Sequence, residues 1–117
     1  MIAPREAFQE KQRPRFRVGQ LVRHTRYGYR GVVVAVDASC QASEVWYEQN
    51  QTQPERGQPW YHVLVDGAAY STYAAESSLT GDDSGECIIH PWTELYFSGF
   101  EDGSYTRNAV PWPHAAP

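Results

Sequence analysis

The sequence predicts a mainly β fold: a small barrel of about five strands with short helical turns and an irregular C-terminal extension. Three observations lead there. Ten Val and sixteen aromatic residues stand against four Leu and three Ile, and branched and aromatic side chains fit a pleated surface better than a helix. Nine Gly and eight Pro punctuate the chain, and the longest stretch free of both runs only from Val32 to Gln53. That excludes a helical bundle and a doubly wound nucleotide-binding domain, which need several long helices. Finally, 117 residues suffice for one domain, whose core can form without metal or disulfide staples. Short strands with frequent turns favour a closed or nearly closed barrel, because closure removes exposed edges.

The elements follow in order. Residues 1–15 are polar, carry Pro4 and Pro14 and show no period, so they are expected to form a mobile arm. Phe16 to His24 leads into a first strand, with Gly19 at a turn and Leu21/Arg23 facing opposite Val22/His24. Tyr27-Gly28-Tyr29-Arg30-Gly31 is a turn in which Gly28 and Gly31 can take positive φ. Val32 to Asp37 is apolar on both faces and β-branched, which marks a central strand. Ala38 to Tyr47 is either a short helical turn around Trp46 or another strand, and Gln49 to Pro59, rich in Gln, Pro and Gly, is a loop. Trp60 to Asp66 is the next strand, Gly67-Ala68-Ala69 a hairpin turn and Tyr70 to Ala74 the returning strand. Glu76 to Leu79 is a single helical or 3₁₀ turn. Thr80 to Glu86 is an acidic loop, Cys87-Ile88-Ile89 a short extended piece, Leu95 to Phe100 a last apolar segment and Asp102-Gly103 a turn. A frayed tail is expected from Pro111 on. A strand, a tight glycine turn and then a long β-branched strand is how many SH3-like barrels begin.

Charge is unevenly placed. The net charge is −4. Residues 1–30 hold Arg5, Lys11, Arg13, Arg15, Arg17, Arg23, Arg26 and Arg30 against Glu6 and Glu10, a balance of +6, and the remainder carries −10. Such asymmetry points to a polyanion or acidic partner at one end, or else to arginines that only keep a short tail and one strand soluble. No run approaches the roughly 18 apolar residues of a membrane span, and Met1 to Glu6 lacks the apolar stretch of a secretory signal. Cys40 and Cys87 make no disulfide framework. A cytoplasmic protein without cofactor is expected.

The residues then become specific. Phe16-Arg17-Val18-Gly19-Gln20, Arg23-His24, Tyr27 to Val33 and Asp37 resemble the opening of the YccV-like, or hemimethylated-DNA-binding, domain family. This family includes the small heat-shock protein HspQ, and the domain also closes some F-box proteins. Cys40 and Trp46 stand where the family often has a Cys and a Trp. Gln58 to Asp66 resembles its most distinctive block, and Tyr73-Ala74-Ala75-Glu76 with Leu79 its Tyr-Val-Ala-Glu-x-x-Leu segment. His90-Pro91, Tyr96-Phe97 and Phe100 resemble the closing segment of longer members. The resemblance covers residues 16–108, leaving the arm and a tail of residues 109–117. It implies a small β-barrel, double-stranded hemimethylated DNA as partner, self-association in some members and, for the heat-shock members, a role with the Lon protease in protein turnover. It brings no catalytic residues.

Two interaction surfaces follow. For DNA, Arg17, Arg23, His24, Arg26, Tyr29 and Arg30 lie in or beside one predicted hairpin. The arginines would contact phosphates, which gives affinity without sequence information. Tyr27 and Tyr29 would either stack on a base or sugar, or simply cap the barrel end. For a protein partner, Trp60-Tyr61-His62 would be an exposed aromatic strip, with Pro59 arguing for an edge position. Against both surfaces, the core could take most of that strip. A metal site at Cys87-x-x-His90 lacks a second close ligand pair. No phosphate loop, dinucleotide fingerprint or nucleophile motif is present, so no enzyme and no metal are expected.

Overall fold

The computed structural model describes residues 13–117, so most of the expected N-terminal arm lies outside the described residues. Five strands form one antiparallel sheet: β1 (Leu21–His24), β2 (Arg30–Asp37), β3 (Trp60–Val65), β4 (Ser71–Ala75) and β5 (Leu79–Gly81). Their order is β4-β3-β2-β1-β5. A 3₁₀ turn, Glu76–Ser78, joins β4 to β5. These two edge strands are not hydrogen-bonded to each other, so the sheet is open rather than a closed barrel. A second sheet pairs β6 (Phe97–Glu101) with β7 (Ser104–Arg107). Among the described residues there are two short helices, α1 (Glu44–Gln49) and α2 (Thr93–Tyr96).

β2 is central, as its β-branched run predicts, and both of its faces are covered. On one face Val22, Val33, Tyr61, Val63 and Leu79 pack with Phe16. On the other, Leu21, Val32, Val34 and Leu64 pack against Ile88, Tyr96 and Phe97. The second sheet therefore explains why β2 and β3 alternate so little. A bulge between Val33 and Ala35 interrupts the β2–β3 register. The Val34 carbonyl there accepts a hydrogen bond from Arg107 Nε at 3.0 Å, so the irregularity is filled from β7. Gly31 keeps an ordinary φ, and its need for glycine is different from the expected one: a Cβ there would run into the Leu64 carbonyl and Val63.

α1 resolves the ambiguity around Trp46 in favour of helix, with Ser43 Oγ accepting from the Trp46 N–H at 3.2 Å as its N-cap. Its Trp46 ring packs edge-on to Trp60 and Tyr73. Two strands were illegible. β5 occupies the start of the expected acidic loop, and β7 follows the Asp102-Gly103 turn. Nor is the C-terminus frayed. Trp112 meets the Tyr96 ring at 5.2 Å, His114 stacks on Trp92 at 5.2 Å, and the Pro117 carbonyl accepts from the Ser43 N–H at 2.9 Å. Aromatic side chains in the tail hold it where composition alone suggests disorder.

Candidate nucleic-acid interface

The β1–β2 hairpin carries five of the six residues expected at a DNA surface. Its turn closes with the His24 N–H on the Tyr29 carbonyl and the Gly28 N–H on the His24 carbonyl, both at 2.9 Å. Gly28 takes φ +79°, which an L side chain rarely adopts. Arg23 and Arg30 face each other directly across the ladder. Like charges so placed repel, and Asp82 answers both, at 3.4 Å from Arg23 Nη2 and 2.9 Å from Arg30 Nε. Arg30 also donates to Asp66 at 3.1 Å, to Ser84 Oγ at 3.0 Å and to the Glu86 carbonyl. Burial alone would lower the Arg30 pKa, but the bonds and charge of Asp82, then Asp66, outweigh it and raise it. Burial likewise pushes the Asp82 carboxyl up, and its bonds to Ser84 and Arg30, with both arginine charges, carry it below its ordinary value.

Arg30 is thus a strut rather than a surface cation: its side chain is 15% exposed. Arg23 is 45% exposed and divided between Asp82 and the Gly28 carbonyl. Arg17 is joined to β7 instead of the turn, through Ser104 Oγ at 3.5 Å. Arg26 differs from these. It is exposed at the tip, its guanidinium lies 5.8 Å from the centre of the Tyr27 ring, and no carboxylate pairs with it among the described residues. Tyr27 is itself 54% exposed. His24 is buried beneath them. Its Nδ1 accepts from the N–H groups of Arg26 and Tyr27 at 3.1 and 3.0 Å, which fixes the neutral ring's proton on Nε2. Burial, then the Arg26 charge, lowers its pKa. Tyr29 is half-buried, with its hydroxyl 2.7 Å from Thr72 Oγ1; burial raises its pKa.

The expected partner strip is not a surface. Trp60, Tyr61 and His62 are 2%, 0% and 5% exposed. β3 is an interior strand, between β2 and β4. Pro59 is tolerated because it precedes the ladder, where only its carbonyl is used, accepting from the Glu76 N–H at 2.9 Å. Each polar tip has a partner inside. The Trp60 indole donates to the Glu55 carbonyl, Tyr61 donates to Glu76 Oε1 at 2.7 Å, and His62 Nε2 meets Asp37 at 3.3 Å. Burial lowers the His62 pKa despite Asp37. His90 is also occupied, its Nδ1 accepting from the Trp92 N–H and its Nε2 lying 3.0 Å from the Tyr70 carbonyl. No three His, Cys, Asp or Glu side chains converge as metal ligands among the described residues.

A cleft of about 430 Å³ opens between the β1–β2 turn and α1, lined by His24, Tyr27 and Tyr29 on one side and Trp46, Trp60 and Tyr73 on the other. Its lining comes from five separate segments of the chain, Pro117 among them, and their shared sequence signal is aromatic character.

These elements define a small, mainly antiparallel β module with an exposed arginine tip beside an aromatic cleft. A family model described as hemimethylated DNA-binding protein YccV-like matches residues 14–104. The chain belongs to the YccV-like family, and it is a DNA-binding module of that family. Among the described residues no helix is long and apolar enough to cross a membrane.

Proposed function

We propose that this module binds double-stranded DNA through the β1–β2 turn and prefers hemimethylated sites. The supporting observation is the Arg26–Tyr27 tip, a cation without a carboxylate partner among the described residues beside an exposed ring. Arg26 would grip a phosphate, and Tyr27 would lie against sugar or base. His24 and Tyr29 support the turn from below. Arg17, with Arg13 and Arg15, would add phosphate contacts from the adjoining segment, whereas Arg23 and Arg30 shape the hairpin. We read the open sheet with its 3₁₀ turn as an SH3-like arrangement. The two free thiols, Cys40 and Cys87, suit a reducing compartment such as the cytoplasm. The alternative, a specificity factor for the Lon protease, draws on family precedent and on an exposed aromatic strip, and the burial of Trp60, Tyr61 and His62 leaves it the precedent alone.

The test is a titration of unmethylated, hemimethylated and fully methylated duplexes at two salt concentrations. Tightest binding to the hemimethylated duplex is expected. Arg26→Ala should weaken all three alike and reduce the salt slope by about 1. Equal, negligible affinity for all three duplexes overturns the reading.

A further inference from the structure

The cleft beside the turn has a chemistry that the phosphate contacts do not use. Its two walls are aromatic. On the turn side the His24 ring stacks on Tyr27 at 4.6 Å and tilts on Tyr29 at 5.1 Å. On the helix side Trp46, Trp60 and Tyr73 pack with centroids 5.3 to 6.2 Å apart. Tyr27 reaches across toward the segment after α1, with its hydroxyl 3.5 Å from Gln51 Oε1.

No side chain lining the cleft carries a full charge when the histidine is neutral, and burial and Arg26 both favour the neutral form. A cage for a methylated ammonium would want a carboxylate, and the Arg26 guanidinium at the rim repels a cation. A planar, neutral ring with a polar edge is the complementary guest. His24 Nε2–H has no partner among the described residues and is available as a donor, and Asn50 lines the same space with its amide held in place by one N–H on the Trp46 carbonyl at 2.6 Å. Its Oδ1 has no partner among the described residues and offers an acceptor. One donor and one acceptor between aromatic walls is what a nucleobase edge needs. The volume lies near the low end of the roughly 300–1,000 Å³ of ligand sites, so it holds one base rather than a dinucleotide.

We propose that this cleft takes a single unstacked nucleobase, presented by DNA whose backbone is held at the Arg26 tip. The proposal rests on the DNA-binding reading, and it supplies what phosphate contacts lack: a place where a methyl group on one base could be sensed.

The test uses the full chain and a hemimethylated duplex with 2-aminopurine next to the methylated base, which brightens when its neighbour leaves the stack. Duplex binding is followed separately by anisotropy. Free N6-methyldeoxyadenosine and 5-methyldeoxycytidine are titrated in parallel against the indole N–H signals of Trp46 and Trp60. The expected result is brightening on binding, loss of it in Trp46→Leu with roughly tenfold weaker binding, and recovery in Trp46→Phe, which keeps a stacking face. Unfolding curves for both variants show whether they are folded. Binding without brightening and with full affinity in Trp46→Leu overturns the cleft proposal and leaves the DNA reading standing. No duplex binding, with shifted indole signals on adding a nucleoside, overturns the DNA reading and keeps the cleft as a nucleobase site. Neither duplex binding nor indole shifts removes both.

Discussion

Replacing Arg30 by Ala separates a structural arginine from a DNA-contacting one. The guanidinium donates to Asp82, Asp66, Ser84 and the Glu86 carbonyl. Its side chain is 15% exposed and that of Asp82 only 5%. Removing it leaves Asp82 buried with Arg23 at 3.4 Å and Ser84 Oγ at 2.7 Å. Breaking a buried ion pair from one side costs about 3–5 kcal/mol. Arg23 remains, so the lower end applies, about 3 kcal/mol. In a domain of this size that lowers the melting temperature by roughly 10–15 °C. Thermal unfolding by circular dichroism measures it, and urea unfolding checks the free energy. The pH dependence carries a sign of its own. The folded Asp82 pKa lies below the ordinary value, so its contribution is whole above that value, near 4, and is lost as pH falls through the folded one. Arg30→Ala should flatten this acid limb. An Arg30→Ala protein that melts with the parent but loses DNA affinity refutes the argument.

Three further outcomes are expected. Tyr61→Phe removes a hydroxyl that donates to Glu76 and accepts from the Phe16 N–H at 3.2 Å; urea unfolding should register a loss of about 1–3 kcal/mol. Trp112→Ala should cost about 2 kcal/mol, because the ring is only half-buried, and should speed proteolysis after Val110, whereas a frayed tail would show neither effect. Acidification from pH 7.5 to 5 should destabilise the protein, because the buried rings of His24 and His62 both titrate below 6.5. Their contribution is complete above 6.5 and drains away as pH falls toward the folded values. His62→Gln should diminish that slope, and a melting temperature unchanged across the range counts against it.

How much was legible depends on where the signal lies. Val32 to Asp37 could be read directly, since a strand buried on both faces advertises itself by uniform β-branching. The Glu76 turn and the Gly28 reversal were also visible, because each follows from local chemistry. β5 and β7 were not. Leu-Thr-Gly and Ser-Tyr-Thr-Arg carry no apolar run, and each is a strand only because a partner elsewhere completes its ladder. The tail failed for the same reason: Trp112 looks solvent-exposed until Tyr96 and Trp92 are brought beside it. The edge reading of Trp60-Tyr61-His62 weights Pro59 as an edge marker, but a proline ahead of the first ladder bond constrains nothing beyond itself.

The arginines show why a charge count cannot locate an interface. Four of them in or beside one hairpin look like one surface, yet the ladder sets Arg23 opposite Arg30, an arrangement that repels unless an anion intervenes. Asp82 fills that role from the end of β5, where its N–H also binds the Leu21 carbonyl at 3.0 Å. A residue read as part of an acidic loop thereby ties three strands together and engages two of the hairpin's cations. In the binding mode proposed above, the phosphate contacts among the described residues are Arg26 on the hairpin and the arginines at 13, 15 and 17. Four such contacts contribute a salt slope of about −4 from the described residues. Affinity from so few phosphates is modest, so in that proposed mode a preference among methylation states has to come from something other than charge, and the aromatic cleft adjoining Arg26 is the feature within reach.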